Sequence, residues 1–234
     1  MLIYKSILSD KSLLAFWKME ETEEQLRAMC DLTDEDNCRI ERCAAPKRRI
    51  ELLSVRALLK AVGIKQTIHY DDNKPYLDNG YISISHSADI AAIIYNPDRQ
   101  VGIDIEKISP RIQRIATRAF SDEEITAANG DLEKLTVLWN CKECVFKLVN
   151  DDGIDFREMI EVDMPSDFSF KENLNEEKNI VNYPLSTFSS AKPIVHYQSS
   201  IIHCALKKSG ITKHFSLSAM KIEGNTVVWG RLDG

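Results

Sequence analysis

Apolar residues recur at three- and four-residue intervals between positions 46 and 62, with Ile50, Leu53, Ala57 and Val62 in register and Leu52, Leu58 and Leu59 beside them. The spacing predicts an amphipathic helix that Gly63 stops. A more regular pattern runs from 132 to 149. There Leu135, Leu138, Cys141, Val145 and Leu148 form one stripe, and Trp139, Glu143 and Lys147, four apart, share another face. Between these helices the period falls to two. Gln66 to Tyr70, Tyr81 to Ser85, Ile90 to Tyr95 and Val101 to Ile108 read as strands, broken at Asp71-Asp72-Asn73, Asp78-Asn79-Gly80 and Asn96-Pro97-Asp98. A helix from 110 to 119 and a capping box at Ser121 and Glu124 follow. Met1 to Leu8 reads as an opening strand and Thr22 to Met29 as a helix. Ile201 to Leu206, Phe215 to Ile222 and Thr226 to Leu232 read as closing strands, the last two joined around Glu223-Gly224-Asn225, while 168–190 reads as polar loop. Helices and mostly antiparallel strands occur in both halves, so the expected class is α+β, with an N-terminal subdomain over residues 1–100 and a C-terminal subdomain over residues 101–234.

Charge and cysteine usage narrow the possibilities. A formal net charge of −6 over 234 residues argues against a general nucleic-acid binder, which needs a broad basic surface. Any anionic ligand must then meet a local basic pocket. The opening residues carry Lys5, Asp10 and Lys11 inside what would have to be an apolar segment, so neither a signal peptide nor a membrane span is expected there. Six cysteines without a secretory signal fit reduced thiols in the cytoplasm. Cys141 and Cys144 form one close pair, but His196 and His203 supply no second cluster for zinc.

Candidate chemistry gathers in four places. The strand Val101-Gly102-Ile103-Asp104-Ile105-Glu106 turns Gly102, Asp104 and Glu106 to one face. Carboxylates roughly 6 to 7 Å apart along a strand can converge on one hard cation, and a solvated face would show the same alternation. Glu143 and Lys147 form either a third carboxylate with a phosphate-reaching ammonium or an exposed ion pair of ~0.3 to 0.5 kcal/mol. His86 ends a strand among Ser83, Ser85 and Ser87, as a buried, satisfied histidine would or as a group that holds a phosphate would. Lys47, Arg48 and Arg49 crowd a helix N-terminus whose dipole disfavours them, as an anion site or a solvated face would.

Taken together and in order, these elements resemble the 4′-phosphopantetheinyl transferase superfamily, in the larger monomeric type known for activating surfactin synthetase. The resemblance is carried by Lys74-Pro75, by Ser83-Ile84-Ser85-His86-Ser87, by Gly102-Ile103-Asp104-Ile105-Glu106-Lys107, and by Trp139-Asn140-Cys141-Lys142-Glu143-Cys144-Val145-Phe146-Lys147. Two departures stand out: the family usually has alanine at the position of Cys144 and a Lys-Ala-x-Gly-like run where Leu148 to Asp152 stands.

The resemblance implies two similar subdomains related by a pseudo-two-fold with the active site at their interface, and a monomer. It implies Mg2+ held by Asp104, Glu106 and Glu143, and coenzyme A as co-substrate with its pyrophosphate on His86 and Lys147. Ser83, Ser85 and Lys142 would complete that pocket, Lys74 would lie along the adenine, and Arg39, Lys47 or Arg48 would meet the ribose 3′-phosphate. Glu143, Lys147 and His86 would be catalytic. The partner would be an acyl or peptidyl carrier protein; Arg111, Arg114 and Arg118, at helical spacing just after the acidic strand, form either a basic stripe that meets it or a solvated helix face. The competing readings are another metal-dependent phosphotransferase or nuclease built on the same three carboxylates, and a noncatalytic coenzyme A or carrier-binding subunit on the same fold.

Overall fold

The computed structural model describes residues 1–165, 167–170 and 200–232; most of the polar loop expected at 168–190 lies outside them. Among the described residues no helix is long and apolar enough to cross a membrane. The chain divides into two compact units at Asp98 and Arg99.

The first unit is built on strands β1 (Leu2–Ile7), β2 (Leu13–Lys18), β5 (Tyr81–His86) and β6 (Ile90–Asn96), an antiparallel sheet in the order β1-β2-β6-β5. Helix α3 (Pro46–Val62) packs on β2 and β6. Its Leu53 and Leu58 are fully buried and share a cluster with Ala15, Trp17, Ala91 and Ile93 of the sheet. Pro46 suits the first helical turn because its missing N–H would have no partner there, and Gly63 ends the helix at φ +86°, a left-handed conformation open to glycine. Helices α1 (Glu23–Met29) and α2 (Asp34–Glu41) flank α3, each opened by a threonine capping box, at Thr22 and Thr33. A two-stranded ribbon, β3 (His69–Asp71) with β4 (Lys74–Tyr76), completes the unit.

The second unit carries a five-stranded antiparallel sheet in the order β7-β11-β10-β9-β8, from β7 (Val101–Lys107), β8 (Ile160–Asp163), β9 (Ser200–Lys208), β10 (Ile211–Ile222) and β11 (Asn225–Arg231). Glu223 and Gly224, both at positive φ, form the two-residue turn between β10 and β11. Helix α6 (Leu132–Val149) lies on β7 and β11. Its stripe of Leu135, Leu138, Cys141, Val145 and Leu148 is buried as the periodicity predicts, each apolar side chain contributing ~1.5–3 kcal/mol. Short helices α4 (Ala116–Ala119), α5 (Asp122–Ala128) and α7 (Phe156–Met159) surround it.

The helix expected over 110–119 is instead a 3-10 turn, Pro110–Arg114, followed by α4, the two meeting at Ile115. The strand expected over 66–70 is reduced to β3. Strands β2 and β8 and helix α2 were not expected; β2 reads Leu-Leu-Ala-Phe-Trp-Lys with four consecutive buried residues, which hides the period of two.

The fit of α6 on β7 depends on Gly102. A Cβ there would stand 2.7 Å from the Cys144 carbonyl oxygen and 2.8 Å from Leu148 Cγ. The first obstacle is backbone and cannot rotate away. Gly102→Ala is therefore expected to lower stability by ~1–3 kcal/mol, visible as a reduced thermal midpoint; an unchanged midpoint would show that α6 is free to retreat.

Candidate active site

Asp104 and Glu106 enter the second unit's site from β7, and Glu143 and Lys147 enter it from α6. Strand alternation puts both acids on the face turned to the helix, and the four-residue spacing of Glu143 and Lys147 turns both toward the strand. Lys147 Nζ donates to Asp104 Oδ1 at 2.7 Å and to the Ile103 carbonyl at 2.9 Å. It therefore pairs across to the strand acid and not, as an exposed helical pair would, with its own neighbour.

Asp104 is only 4 % exposed and is gripped at its second oxygen too, where Asn140 Nδ2 donates to Oδ2 at 2.7 Å. Asn140 in turn accepts at Oδ1 from the Thr226 hydroxyl of β11, directly across the ladder from Glu106. Trp139, one residue before Asn140, hydrogen-bonds Glu106. Its ring lies 5.5 Å from that of Phe156, which is equally close to Phe146.

The electrostatics record an excess of negative charge. Burial, then the charge of Asp104, with a smaller push from Glu143, raises the Glu106 carboxyl to about 7. Burial and Asp104 push Glu143 to about 7 as well, while Lys147 works against both shifts. For Lys147 burial opposes the charged form, but the charge and hydrogen bond of Asp104, with Glu143, win and raise its ammonium above the ordinary range. The three acids thus stand close enough to feel one another, and one ammonium does not balance them. Three carboxylates, whose oxygens are the ligand type a hard divalent cation such as magnesium takes, suit that ion. Among the described residues no three ligand-type side chains already form a closed set around a metal position, and Lys147 occupies one side of Asp104. The fit is one of chemistry and charge.

Lys142 departs from expectation. Its side chain is fully buried, ion-paired with Glu124 at 2.8 Å and donating to the carbonyls of Phe156 at 2.8 Å and Ile160 at 2.6 Å. All three ammonium protons are used inside the unit, which leaves none for the expected contact with coenzyme A. The sequence position, one residue from Glu143, concealed that successive helical residues point about 100° apart.

The remaining candidates, apart from the arginines after β7, lie in the first unit. Ser83 and Ser85 share one face of β5 and are buried, and His86 closes the strand opposite Ala91. Lys74 opens β4. Arg39 stacks its guanidinium 3.4 Å above the Tyr70 ring centroid. Lys47 and Arg48 are exposed and pair with Glu51 at 3.9 and 2.9 Å, so some of the basic charge at the helix start is neutralised one turn later. Arg49 is turned to Glu23 and to the carbonyls of Cys43 and Ala44. On the 3-10 turn and α4, Arg111, Arg114 and Arg118 are all exposed.

Residues 100–199 match a family model described as the 4′-phosphopantetheinyl transferase superfamily. That segment contains Asp104, Glu106, Glu143 and Lys147. The chain is also similar to the 4′-phosphopantetheinyl transferase HetI of Nostoc sp. (strain PCC 7120 / SAG 25.82 / UTEX 2576), with 27% identity over 180 residues, covering 67% of this chain and 76% of the relative.

Proposed function

We propose, from the premise that this chain is a member of the 4′-phosphopantetheinyl transferase superfamily, that it transfers the 4′-phosphopantetheine of coenzyme A to a serine hydroxyl of an acyl or peptidyl carrier protein in a magnesium-dependent reaction, releasing 3′,5′-adenosine bisphosphate. The reading rests on one observation above all: Asp104 is paired with Lys147, and Glu106 and Glu143 stand within electrostatic reach of both, with more negative charge than one lysine can neutralise.

Phosphoryl transfer asks a protein mainly for positioning and charge balance. In this reading Asp104, Glu106 and Glu143 hold magnesium, which when bound neutralises the diphosphate and polarises its phosphorus–oxygen bonds. Lys147 extends its remaining donor toward a phosphate oxygen while Asp104 keeps the ammonium in place. Glu143, or a water beside it, takes the proton of the attacking serine. We assign His86, Ser83, Ser85 and Lys74 to the nucleotide and pyrophosphate of coenzyme A, and Arg39, Lys47 or Arg48 to its 3′-phosphate.

Intact-mass spectrometry of an apo carrier protein incubated with coenzyme A, magnesium and this chain tests the proposal. The expected result is a mass gain of one phosphopantetheine, abolished by a chelator. No gain with any acyl or peptidyl carrier would reject it.

Carrier proteins of this class are acidic, and the exposed Arg111 and Arg114 fall one turn apart on a 3-10 helix of three residues per turn, so they share a face. We assign that face to the carrier. Arg114→Glu is expected to raise KM for the carrier about tenfold and to leave KM for coenzyme A within twofold, since a rim charge acts mostly on encounter. Equal changes in both constants would move the carrier elsewhere.

A further inference from the structure

Two side chains to which the sequence assigned no role, Asn140 inside the helical motif and Thr226 far outside it, are joined to the acids. Asn140 and Thr226 are completely buried, although one interrupts the apolar side of a helix and the other sits inside a sheet. A buried amide and hydroxyl cost free energy unless satisfied, and here they satisfy each other and Asp104. Thr226 donates to Asn140 Oδ1, and Asn140 Nδ2 donates to Asp104 Oδ2 at 2.7 Å. The order of donors is fixed by chemistry: the carboxylate only accepts, so the amide must present its NH2 to Asp104 and its oxygen to Thr226.

With Lys147 on Oδ1, Asp104 is held at both oxygens from two elements. β11 is tied to α6 through Thr226 and Asn140, and α6 to β7 through Asn140 and Lys147. We propose that Asn140 and Thr226 are positioning residues that set the rotamer and plane of the Asp104 carboxylate, and through it the affinity of the site for a divalent cation. The proposal rests on the metal-binding reading of the three acids and goes beyond it by adding residues that touch neither metal nor substrate. Groups that orient a ligand in this way typically change metal affinity or activity 10- to 100-fold when removed.

Mn2+ alone, followed by its paramagnetic resonance signal in titrations of the intact chain, serves as the probe. Thr226→Val keeps the shape and removes the hydroxyl; it is expected to weaken Mn2+ binding about tenfold, and Thr226→Ser is expected to restore it. Asn140→Leu is expected to weaken it further. Thr136→Val is the control, because Thr136 is buried on the same helix but donates only to the Leu132 carbonyl. It should lose comparable thermal stability with Mn2+ binding unchanged.

The proposal is overturned if Thr226→Val loses stability as Thr136→Val does while its Mn2+ titration matches the parent, or if Ser fails to rescue. It is likewise overturned if the parent chain binds no Mn2+. A tenfold weakening in a chain that modifies no carrier protein would support the clamp and remove only the transferase reading, so the two fail separately.

Discussion

Glu143→Gln is expected to lower kcat/KM for the carrier protein by about 10³-fold, equivalent to ~4 kcal/mol of transition-state stabilisation. The substitution keeps size and most packing, so what it removes is a charge. Two roles are lost together, a ligand for the cation and a candidate acceptor for the serine proton, and residues that act as a unit give losses that do not divide between roles. Stability is expected to move the other way. The Glu143 carboxyl is raised to about 7 in the folded chain by burial and by Asp104, above its ordinary unfolded range. An acid with a raised folded pKa binds more protons folded than unfolded, so its ionisation destabilises the metal-free fold as pH rises from about 4.5 to about 7. A neutral amide avoids that cost. Thermal unfolding at neutral pH without metal should therefore give a midpoint at or above that of the parent. A midpoint several degrees lower would attribute the lost activity to misfolding and sink the assignment of Glu143 to the chemistry.

The same opposition explains which regions of the molecule were legible in its sequence. The core stripe of α6, the start and stop of α3, the alternation of β7 and the Ser121 capping box are local patterns, and each appears where the spacing puts it. That β7 and α6 turn Asp104, Glu106, Glu143 and Lys147 toward one another also follows from local rules, because a period of two on β7 and a spacing of four on α6 point the side chains to definite faces, close enough to shift one another's charge. Asn140 and Thr226 were not legible for the opposite reason. They lie 86 residues apart, threonine is common in strands, and an asparagine inside a motif carries no mark of its partner. Strand β2 was hidden because burial on both faces erases alternation. Lys142 was misread because a charged residue inside a catalytic motif looks like a ligand group, whereas its buried partner Glu124 belongs to a capping box that appeared to be complete by itself.

Lys142 accordingly gives the largest expected effect on stability. Glu124 uses one oxygen for the Val162 amide at 3.1 Å and the other for the Ser121 amide and the Lys142 ammonium. The pair connects α6, the start of α5 and the edge strand β8 in the interior of the second unit. Burial alone depresses the Lys142 pKa, and Glu124 works against that shift; the ammonium persists because carboxylate and carbonyls surround it. Lys142→Ala leaves a buried carboxylate and two carbonyls without their cation, and removal of one partner from such a pair costs ~3–5 kcal/mol. Lys142→Met fills most of the volume but still strands Glu124, so it should recover only the packing contribution. Lys142→Met with Glu124→Gln removes both charges, and a midpoint well above that of either single variant is expected, since contacting residues couple. Purified at low temperature, Lys142→Met should retain the parent's KM for coenzyme A. Additive losses in the double variant, or a KM for coenzyme A raised tenfold or more in a folded Lys142→Met, would return this lysine to the ligand.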